Sequence, residues 1–299
     1  MWQVRSLPCR RGSAFDHFLK ISLRSLRALR ETFLPYIFVI NSCMKKVLSI
    51  AGSDPSAGAG IQVDLKVFQV LGAYGMAIPA ALTVQNSRGV SAVEPVSSSM
   101  LSKQLEALLS DIVPDAIKTG MLLTKQNVLA VARTVRKYRI WNLVIDPVLR
   151  SSSGKSLLQP AAVLSLKKEL FPLARIITPN IPETEALTGI IIRSEQDMDL
   201  AAGILLDMGP AYVLIKGGHL RGAAVDTLYG GKTVLSFSTN RQKGEFHGTG
   251  CVLSAAITVF ISQGLSVEKA VEKAKLRVDR MLKTARPIGK NRNSRYFLF

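Results

Sequence analysis

The chain has 299 residues, of which 47% are hydrophobic and 20% are charged, so it can form a buried core and disorder along its whole length is excluded. Its formal net charge of +18 is concentrated at the ends: residues 1–43 carry +5 and residues 275–299 carry +7, which leaves +6 between them. Charge placed in this way attracts polyanions nonspecifically and does not by itself predict specific nucleic-acid binding.

The three cysteines, Cys9, Cys43 and Cys251, match no metal motif and no disulfide framework. An odd count without a close pair is typical of a reducing compartment. No apolar run reaches the roughly 20 residues that a membrane helix needs. We therefore expect a cytoplasmic protein without a membrane partner.

Residues 1–43 differ from the rest of the chain. Arg24, Arg27 and Arg30 are interleaved with leucines in a short basic amphipathic pattern. Three interpretations are open: a targeting peptide, a membrane-surface helix, or a mis-assigned start upstream of Met44. We favour the third, because two lysines and an apolar strand follow Met44 directly.

From Met44 onward, short apolar strands alternate with amphipathic helices. Such alternation predicts an α/β fold, a mainly parallel sheet covered by helices on both faces, in one domain over residues 44–285 with a basic tail at 286–299. Polar clusters follow most strands, where ligands of such sheets bind. Strands are predicted at 47–51, 76–84, 143–148, 175–178, 212–216, 227–229 and 233–237, and helices at 61–71, 98–110, 125–138, 161–170, 195–208, 251–263 and 267–284.

The strongest local feature is the run His247-Gly248-Thr249-Gly250-Cys251, which an apolar helix follows at once. Two glycines allow close approach of the backbone, and a helix N-terminus offers unpaired N–H groups, so the run predicts a phosphoryl site or, more simply, a turn that starts a helix. Cys251 falls in the first helical turn, where the dipole favours a thiolate base; the alternative is a small buried residue.

A second feature is Glu183, which follows Asn180 and Pro182 after a strand. Its carboxylate suits Mg²⁺, which phosphoryl transfer from ATP requires. The alternative is a helix N-terminus, where Pro and Glu are both favoured.

Three more stretches supply candidate site residues. The Gly-rich run that begins at Gly52 leads to Asp64, which either holds a polar substrate group or faces solvent. Gln85 ends a strand, and its amide suits a ring amine beside a ring nitrogen, although a turn residue is the simpler interpretation. Met121 offers an apolar wall for a flat ring, and Lys216 offers a cation for nucleotide phosphates.

Together these motifs resemble the hydroxymethylpyrimidine/phosphomethylpyrimidine kinase family of the ribokinase-like superfamily. The resemblance covers about residues 44–285 and keeps the family's order and spacing. The matching runs are residues 51–66, Lys118-Thr-Gly-Met121, Asp146-Pro-Val148, residues 178–183, Lys216-Gly-Gly-His219 and His247-Gly-Thr-Gly-Cys251.

The resemblance implies a ribokinase-like three-layer fold and a kinase that uses ATP and Mg²⁺. It would phosphorylate 4-amino-5-hydroxymethyl-2-methylpyrimidine and then its monophosphate, for thiamine biosynthesis. Relatives on this fold often form homodimers.

The roles that the resemblance implies fall into two groups. On the substrate side, Gln85, Asp64, Gly52 and Met121 line the pyrimidine pocket. On the nucleotide side, Gly248, Thr249 and Gly250 form the anion hole, Cys251 is the base, Glu183 beside Asn180 organises Mg²⁺, and Lys216 contacts the nucleotide.

Two alternatives remain open. One is a pyridoxal-type kinase on the same fold, because its substrate is also a hydroxymethylated heteroaromatic ring. The other is a catalytically inactive, basic binding protein, which the charged ends would suit. The C-terminal tail departs from the His/Gly-rich end that the family often has.

Overall fold

The computed structural model describes residues 44–151, 154–217, 224–231, 233–239, 242, 244, 246–288 and 296–297. All of them fall in one unit that begins at Met44. The expectations for residues 1–43, including Cys9 and Cys43, and those for Gly218 and His219 lie outside the described residues.

The centre of the fold is a nine-stranded sheet in the order β3-β2-β1-β4-β5-β6-β7-β8-β9. The six strands from β2 to β7 in that order run parallel, and antiparallel strands complete both edges. The mostly parallel sheet is therefore confirmed. Its strands are β1 (Lys46–Ser53), β2 (Tyr74–Asn86), β3 (Gly89–Pro95), β4 (Ala116–Thr119), β5 (Leu143–Ile145), β6 (Ile176–Ile177), β7 (Tyr212–Lys216), β8 (Ala224–Gly230) and β9 (Thr233–Thr239).

Helices cover both faces of this sheet. Successive residues of β1 point to opposite faces, so Val47 packs in one apolar core and Leu48 in the other. The first core contains α1, α7 and α8, and the second contains α2 to α6. The helices are α1 (Gly60–Val70), α2 (Ser98–Leu109), α3 (Lys125–Lys137), α4 (Pro160–Ser165), α5 (Ile181–Thr188), α6 (Glu195–Asp207), α7 (Thr249–Ser262) and α8 (Val267–Thr284).

The structure differs from the predicted elements at several places, and helix α5 is one element that the predicted set lacks. Strands β3 and β4 were not predicted, because β3 is an exposed edge strand and β4 is four residues long with Lys118 inside it. The predicted strand at 143–148 ends at Ile145. The predicted helix at 161–170 becomes a π-helix over Leu166–Leu170.

The C-terminal tail contributes to a second, small sheet. Strand β12 (Tyr296–Phe297) runs parallel to β10 (Phe246–His247) and antiparallel to β11 (Arg286–Pro287). Part of the tail therefore lies beside the residues that precede Gly248. None of the helices in the described ranges has the length and apolar character needed to span a bilayer.

Candidate active site

A cavity with about 440 Å³ of empty space, part of it open to solvent, brings together residues that follow several strands. Four of the sequence-predicted site residues line it: Gly52, Gln85, Met121 and Cys251. They come from β1, β2, the loop after β4 and the first turn of α7. Because the carboxyl ends of parallel strands meet at one edge, distant parts of the sequence share this cavity.

The Gly-rich loop after β1 is held by Asp54. Its carboxylate accepts hydrogen bonds from the backbone N–H groups of Ser56, Gly58 and Ala59. Gly60 has φ of +61°, and a Cβ atom there would lie 2.2 Å from the Gly52 carbonyl oxygen. The loop thus needs glycine at this position to fold back onto β1.

The residue Gly52, which precedes this loop, also packs against Met121, the expected apolar wall of the pocket. A Cβ atom at Gly52 would lie 2.3 Å from Met121 Cε. Because Gly52 has no side chain, the Met121 methyl group has room to pack against it.

Asp64 does not line the cavity, contrary to the expectation for it. Its carboxylate is completely buried and accepts two hydrogen bonds from Lys118 Nζ, at 2.8 and 2.7 Å, and one from Ser49 Oγ at 2.6 Å. Lys118 occupies the cavity wall instead. A buried carboxylate needs such partners, and they hold the Asp64 side chain in the interior of the protein.

The Gln85 side chain lies close to the turn Gly248-Thr249-Gly250, the expected phosphoryl site, which we call the anion turn. Its amide contacts His247 Nε2 at 3.0 Å, and the same ring nitrogen lies 3.1 Å from Asp54 Oδ2. The buried imidazole of His247 therefore contacts both Gln85 in the pocket and Asp54 in the Gly-rich loop. His247 also immediately precedes Gly248, the first residue of the anion turn.

Cys251 is the third residue of α7, in its first turn. Burial raises the pKa of its thiol to about 11; the charge of Lys118 and a hydrogen bond from the Gly60 N–H act in the opposite direction. The thiol is therefore the resting form at neutral pH, because desolvation outweighs the Lys118 charge and the Gly60 hydrogen bond.

The anion turn begins at Gly248, which is the N-cap of α7 and has φ of +78°. A Cβ atom at Gly248 would lie 1.9 Å from the Gly58 carbonyl oxygen, and one at Gly250 would lie 3.2 Å from Lys216 Nζ. Thr249 is the first residue of the helix. Glycine at both positions therefore leaves the backbone N–H groups open beside a cation.

Lys216 is anchored by Asp146. Its ammonium group lies 2.8 Å from Asp146 Oδ1, while Ser254 Oγ, on α7, lies 3.2 Å from Oδ2. Burial raises the pKa of the Asp146 carboxyl, but the charges of Lys216 and Lys118 outweigh it and hold that pKa below its usual value. Asp146 is thus an anion that links β5 to the start of α7.

Asn180 and Glu183 form a capping box at the start of α5. Asn180 Oδ1 accepts from the Glu183 N–H, and Glu183 Oε2 accepts from the Asn180 N–H, both at 2.8 Å. The helix-start interpretation is therefore correct for both residues. Burial raises the pKa of Glu183 to about 7, against the charge of Lys216.

A Mg²⁺ ion usually takes one or two carboxylates together with waters and substrate phosphates. Asp146 and Glu183 provide two carboxylates whose charges interact with each other and with Lys216. Within the described ranges no group of three or more His, Cys, Asp or Glu residues could hold a metal alone. The donor set fits an ion that phosphates also coordinate.

Sequence reasoning missed the roles of four residues: Asp54, Lys118, Asp146 and His247. Each stands in a motif that the sequence shows, but none was assigned to the site. A signal existed for Asp54, because an aspartate followed by Pro-Ser is typical of a turn that binds backbone N–H groups. The contacts of His247 join residues far apart in sequence, and no local pattern indicates them.

Residues 54–295 match the model of the phosphomethylpyrimidine kinase family. The thiamine biosynthesis bifunctional protein ThiED of Geobacter sulfurreducens is 43% identical over 82% of this chain, which spans half of that protein. A hydroxymethylpyrimidine/phosphomethylpyrimidine kinase of Rhizobium meliloti is 43% identical over 76% of this chain and 86% of its own. The pyridoxal kinase of Staphylococcus aureus, solved with AMP-PCP and pyridoxal, is 36% identical with a TM-score of 0.77, over 85% of this chain and 93% of its own.

Proposed function

Because this chain belongs to the phosphomethylpyrimidine kinase family, we propose that it transfers a phosphoryl group from ATP to the hydroxymethyl group of 4-amino-5-hydroxymethyl-2-methylpyrimidine. A second transfer, to the monophosphate, would give the diphosphate used in thiamine biosynthesis. The homodimer and the cytoplasmic location that the sequence suggests stay predictions.

One observation carries the proposal: the pyrimidine-side residue Gln85 contacts His247, whose neighbour Gly248 opens the anion turn. A flat ring held at Gln85 and Met121 would point its hydroxymethyl group along the cavity toward Cys251. The contact between Gln85 and His247 supports a site for the acceptor next to a site for the phosphoryl group.

The residues suit a reaction in which positioning and charge do most of the work. The Gly248–Gly250 N–H groups and Lys216 would stabilise the transferring phosphoryl group as its bond to ADP breaks and its bond to the hydroxymethyl oxygen forms. In its thiolate form, after the thiol proton has been lost to solvent, Cys251 would take the proton of that hydroxyl. Asp146 and Glu183 would hold Mg²⁺, which neutralises phosphate charge when bound.

The test is direct. Purified protein is incubated with the pyrimidine, ATP and Mg²⁺, and mass spectrometry follows the mono- and diphosphate. We expect both products, and we expect Gln85→Ala to raise KM for the pyrimidine at least tenfold with a smaller change in kcat. Gln126→Ala, an exposed glutamine on α3, is the matched control.

The second candidate is a pyridoxal-type kinase, which the similarity to the Staphylococcus aureus enzyme supports. Pyridoxine and the pyrimidine are therefore compared side by side. A kcat/KM at least tenfold higher for pyridoxine would overturn the first choice. Absence of product from both rings, together with salt-sensitive RNA binding, would favour an inactive binding protein.

A further inference from the structure

We propose that His247 holds the Gln85 side-chain amide in one orientation, and that this orientation makes the site select a 4-aminopyrimidine over its 4-oxo counterpart. The inference rests on the proposed function, because it concerns the same pocket. It is carried by the hydrogen-bond partners at the two ends of the amide.

The amide lies between two fixed groups. In the structure its nitrogen is 3.0 Å from His247 Nε2, and its oxygen is 3.3 Å from Thr83 Oγ1. The two ends of a side-chain amide have nearly the same shape, so their partners decide which end is nitrogen and which is oxygen.

At the end of the Gln85 amide that lies beside Thr83, hydrogen bonding favours the nitrogen. A threonine hydroxyl has one hydrogen to donate, and Thr83 Oγ1 donates it to the Ser53 carbonyl oxygen at 2.8 Å. Thr83 can therefore only accept from Gln85. An amide N–H can donate to Thr83 Oγ1, whereas an amide oxygen there would place two acceptors against each other.

At the end of the Gln85 amide that lies beside His247, hydrogen bonding favours the oxygen. The ring nitrogen Nε2 lies 3.1 Å from Asp54 Oδ2, which already accepts the N–H groups of Gly58 and Ala59. A carboxylate oxygen in that position requires a donor, so Nε2 carries a hydrogen. Because that hydrogen is donated to Asp54, Nε2 has no lone pair left, and an amide N–H facing it would find no acceptor. An amide oxygen in the same place can share the Nε2 hydrogen with Asp54 in a three-centre bond.

Both ends thus favour the same arrangement, with the Gln85 nitrogen toward Thr83 and its oxygen toward His247. The opposite arrangement sets two donors against each other at His247 and two acceptors against each other at Thr83. His247, held by Asp54, is therefore a positioning residue for the Gln85 amide, and Thr83 supports it from the other side.

The orientation matters to the ring because the outer edge of the amide presents one N–H and one oxygen lone pair side by side. A 4-aminopyrimidine presents the complementary pair, an amino N–H beside the N3 acceptor. A 4-oxo ring presents the reverse order, an oxygen beside N3–H. It cannot turn over to correct this, because its hydroxymethyl group must still face Cys251.

The principal experiment measures kcat/KM for the 4-amino substrate and for its 4-oxo analogue. We expect the wild-type protein to prefer the amino ring at least ~100-fold, because a mismatched ring leaves polar groups unpaired. His247→Leu and Thr83→Val each remove one anchor, so the amide can turn and the preference should fall at least tenfold. His247→Gln keeps an N–H donor beside Asp54 and should keep the preference within about threefold.

The preference separates an anchoring role from a merely structural one. A structural defect would lower kcat/KM for both rings alike and leave their ratio unchanged. An unchanged ratio in both His247→Leu and Thr83→Val would overturn the inference. Two sites of substitution keep the test decisive if one variant does not fold.

A second readout needs no activity. In protein with ¹⁵N-labelled glutamine side chains, the Gln85 signal is identified by its loss in Gln85→Ala. We expect nuclear Overhauser contacts from its amide protons to Thr83; contacts to the His247 ring protons alone would overturn the inference. An inactive wild-type protein with the expected contacts would refute the proposed function and leave the orientation standing.

Discussion

The Lys118 ammonium group lies 2.7 Å from the Asp64 carboxylate, and both side chains are completely buried. Burial lowers the pKa of Lys118, but the charge of Asp64 outweighs it and raises that pKa above its usual range. Lys118 also lines the cavity. The pair thus fixes a permanent positive charge in the wall that Cys251 shares.

Breaking this pair should destabilise the fold strongly. Lys118→Met leaves the Asp64 carboxylate buried without its counter-ion, and we expect a loss of about 3–5 kcal/mol in the free energy of unfolding. The double variant with Asp64→Leu removes both charges and should recover a large part of it. Urea unfolding measures both.

The control for this prediction is Lys137→Met, which breaks an exposed pair with Glu106. Its unfolding midpoint should stay close to that of the wild type, because surface pairs contribute little. Equal losses in Lys118→Met and Lys137→Met would show that burial of the first pair does not matter.

The Lys118–Asp64 pair also shows where sequence reasoning ends. The helix that carries Asp64 is evident from its apolar spacing, and so is the helix after the Gly-Thr-Gly run, because both signals are local. The partner of Asp64 lies 54 residues away on β4, a four-residue strand without alternation. A pairing through the sheet order has no local signal, so Asp64 was assigned to the pocket.

The reaction rate should depend on pH through Cys251. Burial raises the pKa of this thiol to about 11. Below that pKa, the ionised fraction of the thiol increases nearly tenfold with each unit of increase in pH. If the thiolate takes the hydroxyl proton, kcat/KM of the wild type rises between pH 7.5 and 9.5. Cys251→Ala should be flat over that range, with kcat at least ~100-fold lower and ATP affinity within about threefold.

The slope decides the role of this sulfur. A rise of the same steepness in Cys251→Ala would assign the titration to another group, and near-wild-type turnover would leave Cys251 with a packing role alone.

Stability should depend on pH through Glu183. Its pKa of about 7 in the folded protein exceeds the roughly 4.3 of an unfolded chain. The folded state therefore favours the protonated form, so the contribution of Glu183 to stability is greatest below about pH 4.3 and is lost as the pH rises through about 7. Glu183→Gln removes the free-energy cost of ionising this buried carboxyl, and glutamine still suits the capping box. We therefore expect the variant to be more stable than the wild type at pH 8 by about 2–3 kcal/mol.

Urea unfolding at pH 5 and pH 8 without Mg²⁺ tests this, and an equal difference at both values would contradict it. The same variant should need at least tenfold more Mg²⁺ for half-maximal activity. Glu185→Gln, on the same helix, is the control for the Mg²⁺ requirement.

The two glycines of the anion turn should fail in different ways. Gly248→Ala combines φ of +78° with a Cβ atom 1.9 Å from a backbone oxygen, so we expect a loss of about 3 kcal/mol or more in the free energy of unfolding. Gly250→Ala places a Cβ atom 3.2 Å from Lys216 Nζ and 3.8 Å from Asp146 Oδ2. A small shift of the Lys216 side chain relieves the closer contact, so this variant should fold nearly as well as the wild type. Its methyl group would nevertheless lie beside the N–H groups that we propose bind the phosphoryl group, so kcat should fall at least ~100-fold.

Gly264→Ala is the matched control for backbone strain, because Gly264 has φ of +88° and nothing within 4 Å of an added Cβ atom. It should cost about 1 kcal/mol and leave the kinetics unchanged. Unfolding curves and steady-state kinetics on the three variants separate strain, close contact and loss of the anion site. Wild-type turnover in Gly250→Ala would remove this turn from the chemistry, because a methyl group there cannot be accommodated beside a bound phosphoryl group without displacing it.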